Sequence, residues 1–274
     1  MRVLLITGFI LPVKHEDPLL EIQKKFLSLA EEAMKVKKLR FYQRFLLLCW
    51  RFPPGLAIMD FLTSRKTGKA RSCMKIIYTL QHPQSEHHLN GRVGSWTDWD
   101  LTELGAAQAQ RIAFHLKEEL KDKPVRLLSS DLRRAWHTAQ IVGQALNVTP
   151  EKEIRLRERN LGEAVGHSVA WLKENLLQPE ITIDDRLFPS AQTRREQYVQ
   201  LKPLLEELLA KEEEILLLVS HGDTLGILHA LWLGLEAEAL NSIQLAGSAG
   251  GVSELWLRGG KRIVRRLSDL SYLC

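Results

Sequence analysis

The sequence predicts an α/β protein: a three-layer sandwich in which helices flank a mostly parallel central sheet, preceded by a helical N-terminal extension. Three observations lead there. From residue 75 onward, short apolar runs of strand type alternate with longer amphipathic stretches of helical period. Several of those short runs stop abruptly on polar residues, "YTLQHPQ" being the first example. And 274 residues at 45% hydrophobic content can furnish a large core.

Before residue 74 the pattern differs. Apolar residues recur at helical spacing between Pro18 and Phe52, with charges between them, which predicts one or two amphipathic helices. "RFPPG" ends that pattern, and "TSRKTGKARS" at 63–72 reads as a basic linker. The expected boundary therefore falls near Cys73, with an extension at 1–73 and a main domain at 74–274. An alternative is that Met74 is the translational start. The net charge of +5 is unevenly spread: residues 1–73 hold 14 basic and 6 acidic residues, leaving 24 basic and 27 acidic for the remainder. The pI thus implies no anionic partner for the whole protein. The basic extension is the one candidate for a membrane surface or RNA, and a solvated helix is its plainer reading.

Compartment follows from what is missing. The opening "MRVLLITGFILPV" lacks a small-residue cleavage site, and "FLLLCWRFPPGLAIMDFL" is broken by Arg51, Pro53, Pro54 and Asp60, so neither a signal peptide nor a spanning helix is expected. Cys49, Cys73 and Cys274 have no disulfide or metal spacing, which favours a cytoplasmic location.

In the main domain the expected order is strand "KIIYTL", then a helix over "LTELGAAQAQRIAFHLKEEL" opened by Thr102, then strand "VRLLSS". A helix over "DLRRAWHTAQIVGQAL" follows, then a short strand "EIRLRE", a helix over "TRREQYVQLKPLLEELLA", strand "EILLLVS" and a helix over "DTLGILHALWLG". "SIQLAG", "VSELWL" and "KRIVRRLS" read as three late strands.

Ligands in such folds gather at the carboxyl ends of strands. Four of these strands end in Gln81-His82, in "SSDLRRA" with Arg133 and Arg134, in "RLRERNLGEAVG" with Glu158, and in "VSHGDT" with His221. Two imidazoles, a guanidinium and a carboxyl group converging on one anion-sized pocket would make a phosphoryl-transfer site.

With these motifs in order, the chain resembles the histidine phosphatase superfamily, which includes the cofactor-dependent phosphoglycerate mutases and many small phosphomonoesterases. "QHPQSEHHLNGRVGSWTDWDLTELGAAQA" follows the shape of the family's first motif, "SSDLRRAWHTA" its second, "RLRERNLGEAVG" its acid-bearing segment and "VSHGDTL" its closing histidine motif. The resemblance covers about residues 74 to 270. It implies His82 as nucleophile, Arg134 and His221 as phosphate ligands and Glu158 as the acid, with no cofactor and a small phosphorylated molecule as partner.

Each role has a physical reason. A phosphate monoester is a dianion that repels oxygen nucleophiles, whereas a neutral imidazole flanked by fixed cations can attack and form a phosphohistidine. Arg134 can fork onto two phosphate oxygens, and a protonated His221 can donate to a third. Glu158, with a raised pKa, would protonate the leaving alkoxide. Gln81 and Arg92 are further expected phosphate contacts. Arg133 and Glu163 are the rivals of Arg134 and Glu158, while His115, His137, His167 and His229 read as structural. Trp96 and Trp99 read as packing residues. A metal site drawn from His82, His87, His88 and Asp223 fits no common spacing, so no metal is expected.

The first motif departs from the family pattern at three places. The usual arginine is Gln81, the usual glycine is Pro83, and an asparagine often found seven positions beyond the arginine is His88. Glutamine lacks the charge and the fork, and proline lacks an N–H. A phosphomonoesterase with altered preference is therefore the first reading. A member that binds a phosphorylated ligand or partner without turnover is the second, and a mutase is disfavoured because no second phosphate site is legible.

Overall fold

The computed structural model describes residues 2–6, 9–13, 74–211 and 213–274. The chain divides into two compact units, Met1–Arg71 and Ser72–Cys274. In the first unit β1 (Arg2–Ile6) and β2 (Phe9–Val13) pair antiparallel, a hairpin not expected from the helical pattern that follows it. The helices expected over 18–52 and the linker over 63–72 lie outside the described residues.

The second unit is built on a six-stranded sheet, ordered β5-β4-β6-β3-β7-β8. Its strands are β3 (Lys75–Gln81), β4 (Val125–Ser129), β5 (Glu151–Lys152), β6 (Ile215–Ser220), β7 (Val252–Arg258) and β8 (Lys261–Asp269). The β5-β4, β4-β6 and β6-β3 ladders are parallel, while β7 and β8 add antiparallel at one side. Parallel strands need crossovers, and helices α1 (Glu103–Leu120), α2 (Arg133–Leu146), α4 (Arg194–Ala210) and α5 (Gly222–Leu233) accompany them. The short α3 (Val169–Asn175) lies in a region read as loop; Ser168 caps it, and none of its residues is buried.

The two faces of the sheet sort the sequence by parity. Ile76, Tyr78, Leu80, Leu127, Leu217 and Val219 pack with apolar residues of α1 and α2, whereas Ile77, Leu128, Leu216, Leu218 and Leu255 pack with those of α4 and α5. Side chains alternate across a strand, so runs buried on both faces are apolar throughout, as "ILLLV" is. This is the expected three-layer sandwich.

Two expected strands fail, each for lack of a ladder. "EIRLRE" contributes no strand residue, because β5 ends just upstream at Lys152; Glu153 then accepts from the Arg155 N–H and opens a 3-10 turn at Ile154–Leu156. "SIQLAG" follows a 3-10 turn at Ala237–Asn241 and runs on as an unpaired loop, since β3 already has β6 and β7 as neighbours.

Register decides what meets at the carboxyl ends. Gln81 pairs with Ser220, and Ser129 with Val219. The next residue on each strand is His82, His221 and Ser130. The His82 N–H bonds the Ser220 carbonyl at 3.0 Å and the Ser130 N–H bonds the Val219 carbonyl at 3.0 Å, which carries the alignment past the strand ends.

Candidate active site

A cavity of about 280 Å³ opens at these strand ends, lined by Gln81, His82, His87, His88, Arg134 and Glu158 among others. His82 is 3% exposed, Arg134 1% and His221 fully buried. The ring centroids of His82 and His221 are 5.1 Å apart.

The tautomer of His82 follows from its neighbours. Its Nδ1 lies 2.9 Å from the Pro83 carbonyl oxygen, which can only accept, and its Nε2 lies 3.1 Å from Arg134 Nε, which can only donate. The proton therefore sits on Nδ1 and the lone pair on Nε2. Burial, and then the Arg134 charge, push the imidazole pKa well below its ordinary value. The ring is neutral without any acid or base to make it so. Pro83 withholds an N–H, yet its carbonyl supplies the contact that fixes the ring.

Arg134 stands in the first turn of α2. Its terminal nitrogens donate to the carbonyls of Ser95 at 2.7 Å and Thr97 at 3.0 Å. With its Nε–H on His82, three of the five N–H donors are used and two remain. Burial lowers its pKa to about 10, and the nearby Glu158 carboxyl opposes that shift. The rival Arg133 points away and pairs with Asp100 at 2.8 Å.

His221 sits behind His82 rather than on the cavity wall. Its Nε2 is 2.8 Å from the Ser130 hydroxyl, and its buried Nδ1 has no partner among the described residues. Burial, then Arg134 and His82, drive its pKa well below the ordinary imidazole value. A bound dianion supplies the counter-charge that the protonated form needs.

Glu158 is half-buried in the cavity wall at the N-terminus of α5. Its carboxylate accepts from the Thr224 N–H at 3.2 Å and the Thr224 hydroxyl at 3.1 Å. Burial and then the Asp223 carboxylate raise its pKa, the direction a proton donor requires. The Trp96 indole N–H donates to the Glu158 carbonyl at 2.6 Å, giving that tryptophan a positioning contact rather than a place in the lining. Glu163 accepts from the Ser190 hydroxyl at 2.8 Å and does not line the cavity.

The loop after β3 is held from below. A Cβ on Gly105 of α1 would lie 1.8 Å from the Gln84 carbonyl oxygen, so the helix must present a glycine there. Ser85 organises the two following histidines: its N–H donates to His88 Nδ1 at 3.0 Å, and its hydroxyl meets His87 Nδ1 at 2.8 Å. His88 Nδ1 is thereby an acceptor, which leaves the proton of its neutral ring on Nε2. Burial lowers both pKa values, that of His87 to about 3.

Gln81 lines the cavity, and its Oε1 is buried without a partner among the described residues. Gly247 crosses over it so closely that a Cβ there would come within 2.7 Å of that oxygen. Arg92 does not reach the site. A bridge to Ser168 and a 2.9 Å bond from its guanidinium to the Gly166 carbonyl hold it on the exposed face of that segment.

The other histidines among the described residues have structural partners: His229 with the Thr79 hydroxyl, His137 with Asp100, His167 stacked on Trp171, and His115 with the Cys274 carbonyl. Among the described residues no three His, Cys, Asp or Glu side chains have metal-holding geometry. Ser130, Ser95, Arg194 and the segment 240–247 were not expected at the site, and Asp223 was named only as a metal-ligand candidate. Ser130 alone had a signal, as the second serine of "SSDLRR".

The chain is 28% identical over 211 residues to a putative phosphoserine phosphatase of Hydrogenobacter thermophilus, spanning 73% of this chain and 98% of that protein. It is 30% identical over 210 residues to a probable phosphoglycerate mutase of Proteus mirabilis, spanning 72% and 94% respectively. A mycobacterial glucosyl-3-phosphoglycerate phosphatase structure, complexed with VO3, superposes with a TM-score of 0.60 at 25% identity, over 69% of this chain and 98% of that one. The sequence pattern of the histidine phosphatase superfamily, branch 1, matches residues 77–270. The chain belongs to that superfamily.

Proposed function

We propose that the protein is a phosphomonoesterase that works through a phosphohistidine on His82. The observation that carries this reading is the His82 ring itself, buried, neutral, fixed between the Pro83 carbonyl and Arg134, and part of the cavity lining.

The Nε2 lone pair attacks phosphorus, the bond from phosphorus to the ester oxygen breaks, and Glu158 gives its proton to that oxygen. Arg134 exchanges its bond to Nε2 for one to a phosphate oxygen, and its two remaining N–H donors add to the grip. The positive charge that develops on the imidazole is met at Nδ1–H by the Pro83 carbonyl. Water then attacks phosphorus, Glu158 takes its proton, and the Nε2–phosphorus bond breaks. Neither step consumes a cofactor.

Gln81 favours the second reading, binding without turnover, because it brings a neutral amide where the family pattern has a guanidinium. Against it stand the intact nucleophile, arginine, carboxyl and second histidine around one cavity. Steady-state assay of the full chain against phenyl phosphate, with His82→Ala as control, separates the two. Turnover lost in the variant, with an acid-labile phosphoprotein trapped in the parent, is expected. Equal rates for both proteins, or none for either, would end the hydrolytic reading.

A further inference from the structure

The cavity has two ends of different chemistry. One is the phosphate end around His82 and Arg134. The other is formed by Ile227 of α5 together with Leu240, Ile243 and Leu245 from the segment leading to β7. That segment is pressed onto the helix: a Cβ on Gly226 would come within 2.6 Å of the Leu245 carbonyl oxygen. Backbone contact therefore fixes an apolar wall beside the place where the leaving group must sit.

The charges at this end are already matched. Arg194, which lines the cavity, lies 3.3 Å from Glu180, and Asp223, which also lines it, lies 3.2 Å from the buried Arg159. A carboxylate carried by the leaving group would have to share Arg194 with Glu180 while lying near Asp223 and Glu158. An anion placed in apolar surroundings without its own counter-charge loses its hydration and gains little in return. An aryl or alkyl body would instead bury apolar surface against the wall at no electrostatic cost.

Building on the phosphomonoesterase reading, we infer that the substrates are monoesters of uncharged, largely apolar alcohols, and that esters of hydroxy acids are disfavoured. Gln81 is consistent with this preference: with Arg134 as the lining arginine that has no ion-pair partner among the described residues, a single phosphate is the anion the cavity is built to hold.

Two phosphonates test the inference without turnover, because their carbon–phosphorus bonds are not cleaved. Calorimetry on the full chain should find benzylphosphonate bound about tenfold or more tightly than 2-carboxyethylphosphonate, the order of discrimination an apolar pocket gives. Ile243→Arg, at the 41% exposed rim, should narrow or reverse that ratio by placing an unpaired cation on the wall. Equal or tighter binding of the carboxylated ligand, or no binding of either at millimolar concentration, would overturn the inference. Absent phenyl phosphate turnover with the benzyl preference retained would instead remove hydrolysis and leave the ligand class standing.

Discussion

The Nε–H of Arg134 donates to Nε2 of His82 across 3.1 Å, at the atom proposed to attack phosphorus. The same cation that would hold the substrate thus covers the Nε2 lone pair, and after burial it is the next cause that holds the ring's pKa well below its ordinary value. Binding a phosphate gives the guanidinium a better acceptor and frees the lone pair.

Arg134→Lys keeps the charge but replaces a planar fork with a point donor, which cannot serve His82, Ser95 and Thr97 in their present directions. A fall in kcat/KM of about 10²–10³ is expected, comparable to losing a preorganised donor at a developing anion. Steady-state kinetics measures it. A loss below tenfold would place phosphate binding elsewhere.

Gln81→Arg should raise kcat/KM about tenfold, since a charged hydrogen bond contributes about 1.5–3 kcal/mol. The gain depends on the longer side chain finding room under Gly247. Unchanged activity in a folded variant would show that the missing charge does not limit the site.

Glu158→Gln should slow esters of poorly acidic alcohols by about 10²–10⁴, and aryl esters with stable leaving groups far less. The parent's kcat/KM should fall on the alkaline side as the raised carboxyl pKa is passed, because the acid form is the donor. The variant should lose that limb. Identical pH profiles for the two proteins would remove Glu158 from proton transfer.

Gly105→Ala forces a Cβ into the Gln84 carbonyl oxygen, a backbone atom with no side chain to yield. Either α1 or the His82 loop must shift. A stability loss of about 1–3 kcal/mol is expected from such overpacking, together with reduced turnover. Urea denaturation beside the phosphatase assay checks both, and an unaffected variant would mean that the helix and loop are farther apart in solution.

His229 is buried beside Thr79, and burial lowers its pKa to about 4. Its unfolded value is near 6.5, so between these values the unfolded state binds more protons. The stability this neutral ring contributes is complete above about pH 6.5 and declines as pH falls toward 4, by about 3 kcal/mol in all. His82, His87, His88 and His221 act in the same direction. In the double variant Thr79→Val, His229→Leu, the acid slope of unfolding free energy should lessen by about 1.4 kcal/mol per pH unit. An unchanged slope would mean that His229 titrates normally in the fold.

Helix α1 with its Thr102 cap, the uniformly apolar β6, and the two histidines at strand ends were all legible in the chain, because capping, burial on both faces and strand termination are local consequences of side-chain chemistry. His82, Arg134 and Glu158, which line one cavity, were each marked for the same reason by a short motif. The tertiary structure decided what no local pattern encodes: the pairing of Gln81 with Ser220 that sets His82 beside His221, the Pro83 carbonyl that fixes a tautomer, and the bridge to Ser168 that takes Arg92 out of the site. It also decided that "SIQLAG" lines a cavity instead of extending a sheet, since both edges of β3 were already occupied. Local chemistry chooses the groups; ladder register and the competition for hydrogen-bonding edges choose which of them meet.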